Sequence, residues 1–194
     1  ESFAIEYSNL KLSKIKGDRS NIKVTEKADI EILNNFLTRS GAGYDLHKYE
    51  PGDGIILGGY KILCDYKTVA HSDGDVLLHS IADSILGAAG LGDIGMFFSD
   101  QDNKNKNLDS TLIIEYCLNE LNKMRLEIYN IDATIICENP KISPHRKKIL
   151  ENLSAILKIP VKKIGLKATT SEKIGIIGNN EAIAVQSIVN LKDI

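Results

Sequence analysis

Tryptophan is absent from this 194-residue sequence, and cysteine occurs only three times. No apolar run approaches the roughly 18 residues that a membrane-spanning helix needs. The cysteines (Cys64, Cys117 and Cys137) are odd in number and far apart, so they predict neither a disulfide framework nor a Cys-x-x-Cys metal site. The formal net charge of −2 lacks the basic excess of a general nucleic-acid-binding protein. The sequence contains 43% hydrophobic residues, which is enough to form one sizeable core.

Residues 1–37 differ from the rest of the chain, because they are rich in charge and have no clear hydrophobic period. We interpret them as a polar leader or the remnant of a targeting segment, and a short strand that docks on the body is the alternative. Residues 38–194 alternate between strand-like and helix-like stretches and contain no internal repeat. This order predicts a single α+β domain, with a mixed β-sheet and helices packed on one face.

Capping residues and apolar spacing predict three helices, which begin at Asp75, at Asp109 or Ser110, and at Pro144. Strands are predicted at 40–47, 129–137, 164–168 and 181–191, with a glycine-broken hairpin at 54–63. Within 129–137 the alternation places Tyr129 on the same face as Ile131 and the later apolar residues.

Three residues have the chemistry of a metal site. Asp45 and His47 are two apart on a predicted strand end, so both side chains leave the same face, and His79 lies on the first predicted helix. One carboxylate and two imidazoles match the three-ligand set of a catalytic zinc. Asp83, one turn after His79, is expected to receive the other ring N–H of that histidine. The alternative is a strand-end Asp–His pair and a separate core histidine.

Other polar segments allow two interpretations each. The loop before the first helix holds His71 and Ser72, which can donate to an anion at a helix N-terminus, or it is a plain capping loop. Segment 167–173 combines hydroxyls, lysines and the carboxylate of Glu172, which can bind phosphate and Mg²⁺, or it is a turn with solvated charges. The segments 92–95 and 137–143 likewise allow either a ligand-binding or a purely structural interpretation.

The order of these segments carries more information than any one of them. It runs Gly43-Tyr-Asp-Leu-His47, Ala70-His-Ser-Asp-Gly-Asp75, His79, Leu91-Gly-Asp-Ile-Gly95, Phe98-Ser-Asp100, Asn139-Pro-Lys141 and Lys167-Ala-Thr-Thr-Ser-Glu-Lys173. This order and its approximate spacing resemble the 2-C-methyl-D-erythritol 2,4-cyclodiphosphate synthases, from about residue 39 to residue 191.

The resemblance implies a phosphorus–oxygen lyase of the non-mevalonate isoprenoid pathway. Such an enzyme converts 4-diphosphocytidyl-2-C-methyl-D-erythritol 2-phosphate into the 2,4-cyclodiphosphate and CMP, and works as a homotrimer with active sites between subunits. By resemblance, Zn²⁺ is bound by Asp45, His47 and His79, and a second ion, Mg²⁺ or Mn²⁺, by Glu172. His71 and Thr170 are expected to stabilise the transition state. No nucleic-acid or membrane partner is expected.

The resemblance also implies the residues that contact the substrate. They are Asp45, Leu46, His47, His71, Ser72, Asp93, Ile94, Gly95, Phe98, Ser99, Asp100, Gln101, Asp102, Cys137, Pro140, Lys141, Ile142, Ser143, Ala168, Thr169, Thr170, Ser171, Glu172 and Ile176. Two positions depart from the family pattern: Ile176 replaces a frequent aromatic residue, and Asn179 stands near the position of an arginine that contacts substrate in some members.

Residues 1–37 have no expected counterpart in bacterial members of this family, which favours a plastid (apicoplast-type) enzyme, with a cytoplasmic one as the alternative. Two other functions fit the ligand set. A zinc phosphohydrolase would use the same residues to activate water and release inorganic phosphate. A non-catalytic trimeric module would bind a nucleotide or an isoprenoid-like ligand without turning it over.

Overall fold

The structure is a computed structural model that describes residues 16–17, 23–34, 38–99 and 102–194. The strands are β1 (Thr38–Pro51), β2 (Ile55–Leu57), β3 (Tyr60–Ile62), β4 (Tyr66–Thr68), β5 (Leu126–Ile136), β6 (Ile164–Thr169) and β7 (Ala182–Asp193). Five of them form a sheet in the order β4-β1-β7-β5-β6, and β2 and β3 form a separate hairpin. Because β7 is antiparallel to β1 and β5, and β6 is parallel to β5, the strands β1, β5 and β6 run in one direction.

The helices are α1 (Lys27–Asn34), α2 (Val76–Ala89), α3 (Ser110–Lys123), α4 (Arg146–Leu157) and the short α5 (Gly175–Gly178). α1 belongs to a unit of residues 1–35 that is separate from residues 36–194. Within that unit the Asp29 carboxylate accepts hydrogen bonds from the backbone N–H groups of Thr25 and Glu26, at 2.7 and 2.9 Å. No helix in the described part of the chain combines the length and the apolarity that a membrane crossing requires.

Helix α2 lies directly on strand β1 because two glycines leave room for it. A Cβ atom at Gly43 would lie 1.9 Å from the carbonyl oxygen of Ser80, and one at Gly41 would lie 2.1 Å from that of Ser84. Contacts this short exclude every side chain, since real Cβ atoms keep more than 3 Å from other heavy atoms. The strand and the helix that carry the predicted metal ligands are therefore in backbone contact.

The core lies between the sheet and the helices. α2 packs on β1 and β7, α3 on β5, and α4 on β6. Residues paired across the strands, such as Ile135 and Val185, are buried on this face. Helices α2, α3 and α4 do not cover the opposite face, which exposes Tyr44 (59%) and Ile188 (44%). The fold is thus α+β with helices on one face of a mixed sheet, which confirms the predicted class.

The predicted helices and hairpin are confirmed, with Asp75 and Asp109 as the N-caps of α2 and α3. The prediction for Tyr129 is wrong, because its side chain is 50% exposed. The cause is a β-bulge in β5 where the register with β7 shifts between Ile128 and Asn130, so the alternation breaks at this residue. Strand β4 and helix α5 have too few residues to give a periodic signal, and the sequence did not predict them.

Asp75 fixes where α2 begins. Its buried carboxylate accepts hydrogen bonds from the N–H groups of Leu77 and Leu78 in the helix and of Gly58 and Gly59 in the β2–β3 turn, at 2.7 to 3.2 Å. Burial raises the pKa of Asp75 to about 6, although these N–H groups oppose the rise. One side chain therefore ties the hairpin to the N-terminal end of the helix that carries His79.

Candidate metal centre and ligand cavity

Three side chains meet where β1 passes beneath α2. The Nε2 atom of His47 lies 2.8 Å from Oδ2 of Asp45, and Nδ1 of His79 lies 3.1 Å from the same oxygen and 3.3 Å from His47 Nε2. His79 is buried, and the other two side chains are half-buried. The strand supplies two of these groups on one face, because side chains two residues apart point the same way.

The geometry of this cluster suits a metal ion. A tetrahedral ion with bonds of about 2.0 Å holds its ligand atoms about 3.3 Å apart. The three separations here approach that value, and the ligand atoms all lie within 4.8 Å of one another. The remaining ring nitrogen of His47, Nδ1, is buried without a hydrogen-bond partner among the described residues, so Nε2 is the atom that faces the cluster. Asp45, His47 and His79 can therefore hold a metal ion.

The partners of His79 differ from those expected. Its Nε2 atom contacts the hydroxyl oxygens of Ser110 (2.9 Å) and Ser72 (3.1 Å). The Asp83 carboxylate instead accepts the backbone N–H of Ile94 at 2.8 Å, which corrects the prediction that it receives a ring N–H. The reason is that Asp83 is drawn to the loop after α2, whereas Ser110 approaches the ring from α3, a contact that no local spacing reveals.

Asp45 interacts electrostatically with both His47 and His79. Burial acts to raise the pKa of Asp45, but hydrogen bonds and charge from His47 and His79 outweigh burial and hold it well below its ordinary value. For His79, burial acts to lower the pKa, and the hydrogen bond and charge of Asp45 outweigh it, so the pKa is raised. Without a metal ion, the cluster therefore favours a negatively charged Asp45 beside a positively charged His79.

These shifts predict a pH dependence for the stability of the metal-free protein. The Asp45 contribution is lost as pH falls below the ordinary value near 3.9, and the His79 contribution is lost as pH rises through a value above the ordinary 6.5. The free energy of unfolding in EDTA should therefore show its largest advantage over Asp45→Asn between about pH 4 and 6.5. Urea titrations across pH measure this difference, and a difference that does not change from acid to alkaline pH would contradict it.

A cavity of about 850 Å³ opens beside the cluster. It brings together nine of the predicted substrate-contacting residues with the metal ligand His79, namely Asp45, Leu46, His47, His71, Ser72, Ile94, Gly95, Phe98 and Ser99. Lys48, Asn105 and Ile113 also line it, and sequence reasoning missed them because they lie outside any motif. The Asn105 side-chain amide donates to the carbonyl oxygen of Ser99 at 2.9 Å and so supports that wall.

Not every residue predicted for this cavity lines it. Asp93 caps the short 3₁₀ helix Ile94–Met96, with its carboxylate accepting the Met96 N–H at 3.1 Å. Asp102 is exposed and accepts the Lys104 N–H at 3.0 Å. Asp100 and Gln101 lie outside the described residues. The first two carboxylates therefore have local structural partners.

The remaining predicted residues form a second cluster at the ends of β5 and β6. The loop after β5 holds Cys137, Pro140, Lys141, Ile142 and Ser143, and the end of β6 with its following turn holds Ala168, Thr169, Thr170, Ser171 and Glu172. Thr170 donates its hydroxyl to the Glu172 carboxylate at 2.9 Å. Ile176, in α5, is 51% exposed.

Glu138, which the sequence did not single out, holds this second cluster together. Its Oε1 atom accepts the N–H groups of Ser171 and Lys173, both at 3.1 Å. Glu172 and Lys173 have positive φ angles of 53° and 62°, so the turn has a conformation that side chains seldom adopt unaided. The Glu138 carboxylate thus stabilises a turn whose own backbone preference is unfavourable.

The metal cluster and the second cluster lie far apart in space within one folded chain. Asp45, Val185, Ile135 and Ala168 occupy one row across the sheet. That row crosses three strand spacings, which is about 14 Å. One phosphate group cannot contact both clusters of the same chain.

Comparison with known proteins identifies relatives of this chain. Residues 38–192 match the model of the YgbB family. The bifunctional enzyme IspD/IspF of Aliarcobacter butzleri is 43% identical over 199 residues, which cover 99% of this chain and 53% of that enzyme. The chain thus spans about half the length of this curated relative.

Solved structures agree with the family match. IspF of Plasmodium falciparum in complex with CDP is 38% identical with a TM-score of 0.72, covering 80% of this chain and 96% of that one. A 2C-methyl-D-erythritol-2,4-cyclodiphosphate synthase in its CDP-bound form is 30% identical with a TM-score of 0.74, covering 79% and 100%.

The bacterial alignment also bears on residues 1–37. Because it covers 99% of the chain, it includes nearly all of these residues, so the expectation that they have no bacterial counterpart is wrong. The plastid prediction thereby loses the observation that favoured it. Over residues 38–192, in contrast, the family model and the solved structures agree with the motif order, and the chain belongs to the YgbB family.

Proposed function

We propose that this chain converts 4-diphosphocytidyl-2-C-methyl-D-erythritol 2-phosphate into 2-C-methyl-D-erythritol 2,4-cyclodiphosphate and CMP. The observation that carries the proposal is the three-ligand cluster on the wall of the cavity, in a family whose solved relatives bind CDP. The reaction is a phosphorus–oxygen lyase step of the non-mevalonate pathway to isoprenoids. The proposal concerns this activity alone, since the bifunctional relative is about twice as long.

The reaction requires the protein to orient the substrate and to neutralise its negative charge. An oxygen of the 2-phosphate attacks the β-phosphorus of the same molecule, the bond from that phosphorus to the oxygen of the CMP phosphate breaks, and CMP leaves with that oxygen. No water enters and no protein nucleophile is needed, so orientation and neutralisation of charge supply the rate enhancement. His71 and Ser72 on the cavity wall can bind the 2-phosphate, and Thr170 can donate to the diphosphate.

The metal sites follow from the donor types. Asp45, His47 and His79 would hold Zn²⁺, which suits a mixed nitrogen and oxygen set, and Glu172 would hold Mg²⁺ or Mn²⁺, which prefer oxygen. When bound, such ions neutralise and orient phosphate oxygens. The Glu172 carboxylate is exposed, and among the described residues only Thr170 donates to it, so it can accept an ion that arrives with the substrate diphosphate.

We further propose a homotrimer in which each active site combines two chains. Two observations support it: the metal cluster and the 168–172 cluster lie about 14 Å apart within the chain, and helices α2, α3 and α4 leave one face of the sheet uncovered. That face carries exposed Tyr44 and Ile188, which are apolar enough to be buried against neighbouring copies. A partner would bring its own 137–143 and 168–172 segments, with Ile176 nearby, to the cytidine diphosphate.

We propose residues 38–194 as the synthase domain and residues 1–37 as a polar segment outside it. The family match begins at residue 38, and the separate unit ends at residue 35. Deletion of 1–37 is therefore expected to leave the products of the reaction unchanged.

The proposed activity is tested by ³¹P NMR on the diphosphocytidyl substrate with Zn²⁺ and Mg²⁺. Equal amounts of CMP and cyclic diphosphate, without inorganic phosphate, are expected. Release of inorganic phosphate would identify a phosphohydrolase instead. Binding of CMP without any turnover would identify a non-catalytic module.

The role of Glu138 gives a separate prediction. Glu138→Ala removes the acceptor for two N–H groups of the 171–173 turn, which should weaken CMP binding by about 1–2 kcal/mol, or roughly ten-fold. Isothermal titration with CMP measures the loss. Glu127→Ala is the matched control, because its carboxylate forms a surface ion pair with Lys192 and contacts neither cluster. Equal CMP affinities for the two variants would contradict this role.

A further inference from the structure

The buried edge of the His79 ring is held by a chain of hydrogen bonds that reaches Asp73. His79 Nε2 lies 2.9 Å from the Ser110 hydroxyl oxygen, and that hydroxyl lies 2.5 Å from Oδ1 of Asp73. The other carboxylate oxygen, Oδ2, accepts the backbone N–H of Ser110 at 3.1 Å. Ser110 is fully buried at the first turn of α3, so solvent does not compete for its hydroxyl.

The direction of each hydrogen bond follows from what each group can donate. A carboxylate only accepts, so the single hydroxyl proton of Ser110 is donated to Asp73. The Ser110 oxygen then presents lone pairs to His79, and Nε2 must be the donor. In the charged ring Nδ1 also carries a proton and donates it to Asp45, and when Nδ1 gives up that proton the remaining one is on Nε2 and Nδ1 has a lone pair. Nδ1 is the atom that faces Asp45 and His47.

We propose that Ser110 and Asp73 are positioning residues that keep a proton on Nε2 of His79, so that Nδ1 is the ring nitrogen left to bind a metal ion. This inference rests on the proposed metal site and adds the residues that prepare one ligand for it. Ser72 also accepts from Nε2, at 3.1 Å, and it lines the cavity. Its own hydroxyl proton is consequently available to an anion in the cavity.

Asp73→Asn is the variant that separates this role from packing. An asparagine amide of the same size can donate to Ser110, which would turn the Ser110 hydroxyl proton towards His79 and favour the proton on Nδ1. Ser110→Ala removes the chain but keeps the Asp73 bond to the Ser110 backbone. Ser110→Thr keeps the hydroxyl and should restore wild-type behaviour. Ser84→Ala is the control, because this buried α2 hydroxyl donates to the Ile81 carbonyl and contacts no ligand.

Two readouts test the inference. Two-bond ¹H–¹⁵N spectra of histidine-labelled, metal-free protein, at a pH about two units above the ordinary histidine pKa, should show a proton on Nε2 of His79 in wild type and a proton on Nδ1 alone in Asp73→Asn. Zn²⁺ affinity, measured by competition with a chelator, should fall about 10- to 100-fold in Asp73→Asn and Ser110→Ala, as is typical for loss of an outer-shell partner. Ser110→Thr and Ser84→Ala should bind as wild type does.

The inference is overturned if Nε2 of wild-type His79 carries no proton, or if Asp73→Asn changes neither the protonation of Nε2 nor the Zn²⁺ affinity. Absence of Zn²⁺ binding by wild type would instead overturn the proposed metal site. Because the tautomer is read in metal-free protein, these two failures are distinguishable.

Discussion

His79→Ala is expected to abolish formation of CMP and cyclic diphosphate. The variant removes one of three ligand atoms that lie 2.8 to 3.3 Å apart and leaves a buried void beside Ser110. Zn²⁺ affinity should fall by more than the 10- to 100-fold typical for an outer-shell partner. The ³¹P NMR assay measures turnover, and chelator competition measures the metal.

His145→Ala is the matched control for this variant. His145 precedes α4 and packs against Tyr60, with ring centroids 5.8 Å apart, and it contacts no residue of the metal cluster. Its loss should leave Zn²⁺ affinity unchanged. Turnover by His79→Ala at the wild-type rate would show that the cluster of Asp45, His47 and His79 takes no part in the reaction.

Gly43→Ala is expected to destabilise the protein and to distort the metal centre together. The added Cβ would lie 1.9 Å from the Ser80 carbonyl oxygen, so α2 must move away from β1. Overpacking of this kind costs about 3 kcal/mol or more, because backbone meets backbone and no rotamer can relieve the clash. Ser80 follows His79 in the chain, and Gly43 precedes Asp45 by two residues, so the same movement separates ligands from the two elements.

Urea denaturation and chelator competition measure the two effects of Gly43→Ala. Gly87→Ala serves as the control, since Gly87 is exposed in the same helix and nothing lies within 4 Å of an added Cβ. That substitution should raise the free energy of unfolding by about 0.5–1 kcal/mol through helix propensity. A Gly43→Ala protein with wild-type stability and Zn²⁺ affinity would contradict the close contact between α2 and β1.

The ligands of the metal centre can be predicted from the sequence, because their chemistry and their spacing are both visible there. Asp45 and His47 share a strand face, and the periodic apolar pattern of α2 places His79 on a helix. The order of short motifs then identifies the family, although each motif alone is ambiguous.

The supports of the site cannot be predicted in the same way. Ser110, Asp73 and Glu138 act through contacts made by the tertiary fold, between residues 31 to 37 positions apart. For Asp83 the sequence predicts a contact that the structure lacks. Its helical spacing from His79 is ideal, but its carboxylate accepts the backbone N–H of Ile94 in the loop after α2. Tyr129 fails for a related reason, because a bulge changes strand alternation without any signature that the sequence displays.

The position of β7 in the sheet has a consequence for how the molecule assembles. β7 lies between β1 and β5, and it pairs Thr38 with Lys192 and His47 with Ile183. During synthesis, the strand that carries Asp45 and His47 therefore cannot pair with β7 until residues 182–193 have been made. Pairing across such sequence separations is slow, because a long loop must close before any contact stabilises it. We therefore expect the metal centre, although its ligands lie within 34 residues of one another, to become fully ordered only after β7 has paired with β1.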